Sequence, residues 1–355
     1  MPYCRRCGTK LEENARFCHK CGTPVATIPP APQARPMPIG KNPLLIPVII
    51  LIAIVVTAVI VSAIVFAPIY PVNFNQTNQD NQPNINKLNL NFQSDNAQVN
   101  VIAQNLTGKN ILIAVSATGS TGIFGSTNPI EVTFSNETVN NVLTVTSKVT
   151  DVNHGFFSRL RVTCTIYINQ SLNLNLNITS ETGQITLTAD APATLQSLNL
   201  EATTGVVQAN LQNSVTIAGD LSLKTQTGSV FFRMNQANVQ GNATVNLQST
   251  TGSVNMDITQ KEKFSGNVQV NAATTTGQIN LGLLIDGDVG AKIQSQTNLG
   301  RIRLDVQNFS GNQSPIQSNN YPAVSNFQIN NTITGIGDIN LNAAYQSSAV
   351  PSVRN

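Results

Sequence analysis

The chain has 355 residues, a formal net charge of +3 and 10% charged side chains, against roughly a quarter in average proteins. It has no tryptophan, and its only histidines, His19 between two cysteines and His154 in a loop stretch, argue against a Ser/His/Asp triad. Asn, Gln, Ser and Thr must supply most of the surface, and the long C-terminal part carries no basic stripe of the kind that binds nucleic acid.

Cys4, Cys7, Cys18 and Cys21 form two Cys-x2-Cys pairs, each followed directly by glycine, Gly8 and Gly22. Two residues between cysteines let both thiolates of a pair reach one ion, and the glycine relieves the turn. Four thiolates close a tetrahedral structural site and leave no position open for catalysis. A pair of disulfides is the competing reading and suits a reducing cytoplasm poorly. His19, between two cysteines, reads as solvated. The stretch YCRRCGTKLEENARFCHKCGTPV resembles the short zinc-ribbon domain at the start of many archaeal and bacterial membrane proteins. The resemblance implies structural Zn²⁺ held by these four cysteines. Residues 1–25 are assigned to this ribbon; contact with a protein or a plain structural cap is preferred over contact with nucleic acid or acidic lipid. Residues 26–43 follow as a Pro-rich linker, extended and stiff.

Residues 44–67, LLIPVIILIAIVVTAVIVSAIVFA, contain no charge. As a helix they would run about 36 Å, enough for a hydrocarbon core of about 30 Å. Pro47 suits a first helical turn, and a signal peptide would start earlier and be shorter. Residues 1–43 hold seven basic side chains against Glu12 and Glu13, whereas 68–79 hold no charge. The positive-inside rule then predicts a single-pass protein with its N-terminus in the cytoplasm and residues 68–355 outside the cell membrane.

Residues 68–87 read as an Asn/Gln-rich linker without apolar period. Alternation begins at Leu88, Leu90 and Phe92 and recurs through Leu160, Val162, Cys164, Ile166 and Ile168, so 88–178 is an N-terminal β region. Cys164 shares the apolar parity and reads as a small buried hydrophobe. Two loops, 119–129 and 153–157, carry Ile123, Phe124, Phe156 and Phe157. They read either as contact tips or as loops folded under their own side chains.

Residues 179–345 repeat. Alternating apolar positions, then Thr-Gly, then alternation again recur around Gly183, Gly205, Gly228, Gly252 and Gly277, with Leu299-Gly300 as a sixth copy and a weaker one at Gly337. The inward residue sits three before the glycine and the next two after it, an odd step that a straight strand cannot accommodate on one face, so the chain must bend there. A β-solenoid corner with glycine at positive φ meets this, as does a two-residue hairpin turn; the near-constant period favours the solenoid. In the Gly337 copy Phe327 and Ile329 share parity with Ile339 and Leu341, which suggests a different corner in a terminal cap. The units SETGQITL, EATTGVVQ, TQTGSVFF, STTGSVNM and TTTGQINL resemble an adhesin-like family of extracytoplasmic repeat domains over about 88–345. That resemblance implies a mainly β, right-handed β-helix-like solenoid of about seven coils at the cell surface and carries over no catalytic residue. Residues 346–355 are a tail.

Asn-x-Ser/Thr sequons occur at Asn75, Asn105, Asn136, Asn169, Asn177, Asn242, Asn308, Asn312 and Asn330. Solenoid enzymes that act on polysaccharides cluster Asp with Lys or Arg, which singles out Asp257, Asp286, Asp288, Arg301, Arg303 and Asp305. A solvated face is the preferred reading of these, and a turn serves as well as calcium for Asp286-Gly287-Asp288. The expected function is a membrane-anchored adhesin-like protein or envelope scaffold that meets an envelope protein or glycan outside. A transmembrane sensor acting on a protein partner through the ribbon is the alternative, and a polysaccharide-acting enzyme a weaker one.

Overall fold

The computed structural model describes residues 3–12, 15–24, 45–65, 69–190, 192–212 and 214–346. The linker 26–43, the ends of the expected 44–67 segment and the tail beyond Gln346 lie outside the described residues. The chain divides into two units, Met1–Phe66 and Ala67–Asn355.

Among the described residues the first unit holds two cysteine knuckles and one helix, Leu45–Val65. Its stretch Pro47–Ile64 is long and apolar enough to cross a membrane, and no part of it is buried by protein. The two hydroxyls of the helix are spent within it, Thr57 on the Ala53 carbonyl at 2.7 Å and Ser62 on that of Val59 at 2.9 Å. Lipid would meet no unpaired polar group there.

The second unit is mainly β, and the strand Ala243–Gln260 shows its plan. Inward residues alternate up to Ser249, the chain bends at Gly252, and alternation resumes at Val254 with the same side buried. The strand pairs in parallel with Leu221–Asn235 on one side and Asn267–Asp286 on the other, each residue opposite its equivalent in the next copy. Parallel register excludes the hairpin reading of the Thr-Gly units. The bend has two demands. Gly252 has φ +140°, and a Cβ on it would lie 1.7 Å from the Gly228 carbonyl oxygen of the adjacent layer. The hydroxyl three residues before the glycine is buried and caps that carbonyl: Ser249 donates to Gly228 O at 2.9 Å and Thr274 to Gly252 O at 3.2 Å. Thr225 and Thr297 do the same to Gly205 O and Gly337 O, which is why four of these positions keep a hydroxyl in an otherwise apolar alternation, whereas Ala202 holds the equivalent place before Gly205.

The layers do not follow chain order. Gly337 packs on Gly277, and Gly300 packs on Gly337. Ser325–Ile336 and Ile339–Gln346 are thus inserted between Asn267–Asp286 and the pair Val289–Leu299 and Ile302–Gln307. The Gly337 copy is therefore an inner layer, not the expected terminal cap. Its odd parity is absorbed by one extra residue at the bend, where Thr274 and Thr276 face Ile333 and Ile336. The Gly300 copy is outermost, so Ile302 is 36% exposed where its counterparts are buried. The other end is built alike: Lys87–Asn96 and Gln98–Gln104 lie between the layer formed by Val142–Asp151 with Arg159–Asn169 and the strand Asn173–Ala189.

Antiparallel strands flank that end. Pro71–Asp80 pairs with Ile111–Ser120, and Ile130–Val139 with Val142–Asp151. The expected linker 68–87 is therefore strand over much of its length. Being at an edge, it needs backbone pairing and few apolar contacts: only Val72 is a buried hydrophobe, and its buried Asp80 accepts hydrogen bonds from Asn110 Nδ2 at 2.8 Å and Asn136 Nδ2 at 2.7 Å. A short third set of parallel strands stacks Leu195, Ile217 and Val239, all fully buried. Beside it Phe264 packs edge-on against Phe327 with ring centroids 5.3 Å apart.

Candidate functional site

Two places carry chemistry. The first is the pair of knuckles. In each, the sequence Cys-x2-Cys-Gly-Thr closes on itself: Gly8 N donates to Cys4 O and Cys4 N to Thr9 O, and Gly22 N to Cys18 O and Cys18 N to Thr23 O, at 2.8 to 2.9 Å. Gly8 and Gly22 have φ of +67° and +64°, as a tight turn requires. The four Sγ atoms lie within 4.8 Å of one another, with Cys4 to Cys21 and Cys7 to Cys18 both at 3.5 Å. A tetrahedron with metal–sulfur bonds of about 2.3 Å has edges of about 3.8 Å, so the donor set fits zinc. Thr9 and Thr23, which follow the glycines, lie outside the cysteine spacing pattern. The Thr23 hydroxyl, 3.2 Å from Cys21 Sγ, and then its backbone pull the Cys21 thiol down to about 6, and Thr9 lowers Cys7 likewise. Both favour the thiolate that a metal requires, whereas desolvation and the neighbouring Cys7 and Cys21 thiols push Cys18 up to about 11. Among the described residues this is the only group of three or more His, Cys, Asp or Glu placed to hold a metal ion.

The second is a groove of about 470 Å³ across the outer face of the strand arms that follow the bends. Its residues come from fixed offsets after each bend glycine. Three residues on, successive layers present Phe231, Asn255, Asn280, Asn340 and Arg303; five residues on, Arg233, Asp257, Gly282, Asn342 and Asp305. The asparagines form a ladder in which Asn280 Nδ2 donates to Asn255 Oδ1 and Asn340 Nδ2 to Asn280 Oδ1, each at 2.8 Å. Arg303 continues it to Asn340 Oδ1 at 3.1 Å and pairs with Asp338 at 3.0 Å. Arg233 pairs with Asp257 at 3.3 Å, both well exposed. Each inner ladder amide spends one donor and one acceptor on its neighbours, keeping another of each for a ligand. Phe231 is 39% exposed, with Gln208 and Asn210 of the next layer extending the lining beyond it. Two arginines and two aspartates line the groove, so its charge balances.

Of the six charged residues named from the sequence, the groove brings together Asp257, Arg303 and Asp305, joined by Arg233. Asp286 and Asp288 lie instead at a turn, where Asp286 Oδ1 accepts from Gly287 N and Asn320 Nδ2 donates to the Gly287 and Val289 carbonyls. Arg301 contributes its backbone N–H to Asp338 at 2.9 Å. Gly282 needs no glycine on backbone grounds, since a Cβ there would meet only Asp257 Oδ1 at 3.6 Å and Met256 O at 3.8 Å. Cys164 is fully buried and burial pushes its thiol up to about 12.

Residues 3–25 match the zinc-ribbon domain family, and the chain's N-terminal segment is a zinc ribbon. No curated protein matches the chain in sequence. Among solved structures the chain is similar to a candidate cell adhesion protein from Clostridium sporogenes ATCC 15579, at 13% identity over 78% of this chain and 100% of that one, with a TM-score of 0.41. It is also similar to a candidate adhesin from Bacteroides fragilis NCTC 9343, at 16% identity over 77% of this chain and 99% of that one, with a TM-score of 0.33.

Proposed function

We propose that this chain is a single-pass, membrane-anchored surface protein of adhesin-like type. Its N-terminal ribbon lies in the cytoplasm with Zn²⁺ on Cys4, Cys7, Cys18 and Cys21. Its exterior part is a right-handed β-helix-like solenoid that binds a neutral, linear glycan along the groove. The parallel, in-register layers, the bend glycines stacked one on another and the short third side support the solenoid. The apolar helix and the basic excess before it support the anchor and its orientation.

The groove carries the functional reading. Sugar hydroxyls donate and accept at once, which suits a row of amides with one free donor and one free acceptor apiece. An exposed ring such as Phe231 gives a pyranose face an apolar platform, and a balanced lining disfavours polyanions. Glycine inside a strand costs stability, so Gly282, unforced by its backbone, is best explained by a ligand that comes close.

The test is calorimetric titration of the full chain in detergent with neutral hexasaccharides of glucose, xylose, mannose and N-acetylglucosamine, with polygalacturonate as the charged comparison. Saturable binding of at least one neutral oligosaccharide is expected, weakened about tenfold or more by Gly282→Gln and by Phe231→Ala with unchanged melting. Binding of none of them, or binding indifferent to both substitutions, would refute the groove reading.

A further inference from the structure

A second surface is left unused by the groove. The loops 119–129 and 153–157 are not separate: they zip into one tip, with Ile123 N donating to Phe156 O at 2.9 Å, Phe156 N to Ile123 O at 3.0 Å, Gly122 N to His154 O at 2.7 Å and Ser126 N to Asn153 O at 2.8 Å. Their backbones approach so closely that a Cβ on Gly122 would lie 1.8 Å from the Phe156 carbonyl oxygen. This rigid tip turns three phenylalanines outward, Phe124 at 60% exposure, Phe156 at 70% and Phe157 at 88%. Phe124 and Phe157 have φ of +63° and +61°, a conformation a bulky side chain adopts at a cost and that here holds the rings away from the core. Water gives no reason to keep three rings in that position.

The chain itself says what meets them. The tip is tied to Tyr70, whose carbonyl accepts from Thr121 N at 2.9 Å and whose N–H donates to Thr121 Oγ1 at 3.1 Å. In sequence Tyr70 stands five positions after Val65, the last residue of the apolar helix, a contour of about 18 Å at full stretch. Exposed Ile69 lies between them. Arg159 and Arg161 sit exposed just behind the tip, opposite Ser120 and Thr118. Apolar rings in front and cations behind are the order in which a bilayer presents its acyl boundary and its phosphates.

We infer that this aromatic tip docks into the lipid surface of the bilayer that the helix enters. It inserts Phe124, Phe156 and Phe157 to headgroup depth and seats Arg159 and Arg161 at the phosphates. The glycan groove is thereby held in a set attitude to the membrane instead of swinging on a tether. The inference rests on the anchor reading and is independent of what the groove binds.

The absence of native tryptophan makes the test direct. Full-length chains carrying Phe157→Trp, Phe156→Trp or, as a distant exposed reference, Leu299→Trp are placed in phospholipid nanodiscs made with acyl-brominated lipid. The two tip variants should show blue-shifted emission and quenching by the brominated lipid, and the Leu299→Trp variant neither. Unquenched, reference-like emission from both tip variants in protein-loaded discs would overturn the docking while leaving the anchor intact. Failure of the chain to enter discs at all would overturn both.

Discussion

Replacing Gly252 by alanine tests the stacking of the repeat at its tightest point. The added Cβ would stand 1.7 Å from the Gly228 carbonyl oxygen and impose φ +140° on a residue with a side chain. Reaching an ordinary non-bonded separation of about 3.5 Å means parting two layers by about 1.8 Å. That is a large fraction of a spacing of about 4.8 Å, so ladder hydrogen bonds on either side must break. The backbone conformation costs about 1–3 kcal/mol, and losing two such bonds costs about 1–3 kcal/mol more. The expected loss is about 2–6 kcal/mol, or about 4–12 °C at roughly 2 °C per kcal/mol for a domain this large. Gly241→Ala is the control: φ is +79°, yet nothing lies within 4 Å of its Cβ. It should lose only about 1–2 kcal/mol. Scanning calorimetry of the full chain measures both, and hydrogen exchange around residues 250–256 detects a local opening. If Gly252→Ala melts no lower than Gly241→Ala and exchange is unchanged, the layers do not pack backbone to backbone at the bend.

Ser249→Ala should leave the Gly228 carbonyl without its 2.9 Å donor and lower stability by about 1–3 kcal/mol; denaturant titration would read this as a lower midpoint. Chelation of zinc, or Cys4→Ser with Cys7→Ser, should unfold the ribbon while leaving the melting of the β unit within error, followed by limited proteolysis and calorimetry. Burial raises the Asp151 carboxyl above its ordinary 3.8, with His154 opposing and Asp95 adding to the rise. The folded state therefore holds that proton more tightly than the unfolded chain. Its contribution to stability is full below about 3.8 and is lost as pH rises through the raised value, so Asp151→Asn should flatten this part of the pH–stability profile. Cys164 should stay unreactive to a thiol reagent in the folded protein and react at once on unfolding, as a fully buried thiol with a pKa of about 12 must.

Local chemistry made much of this protein legible. The cysteine spacing specified the ribbon because two residues between thiolates is a geometric requirement of the knuckle, and the apolar helix needed only length and the lack of charge. Period-two alternation marked the strands, and the odd step across each Thr-Gly announced the bend. Pro71–Asp80 escaped notice because an edge strand is held by backbone pairing, which leaves no apolar period to read. The groove escaped for a different reason: Phe231, Arg233 and Gly282 have no common character as residues and become a site only when layers stack at equal offsets from the bend.

Layer order lay beyond any reading of the chain. The parity of the Gly337 copy marks its bend as different, but nothing local says that this later copy slides between Gly277 and Gly300. That choice depends on which faces bury each other, with a one-residue bulge to keep parity, and so it belongs to the tertiary structure. The aromatic tip divides in the same way. Sequence alone supplied two loops with phenylalanines that could equally fold under. Only their mutual pairing, with two rings held at positive φ, turned them outward and joined them to the strand that follows the helix.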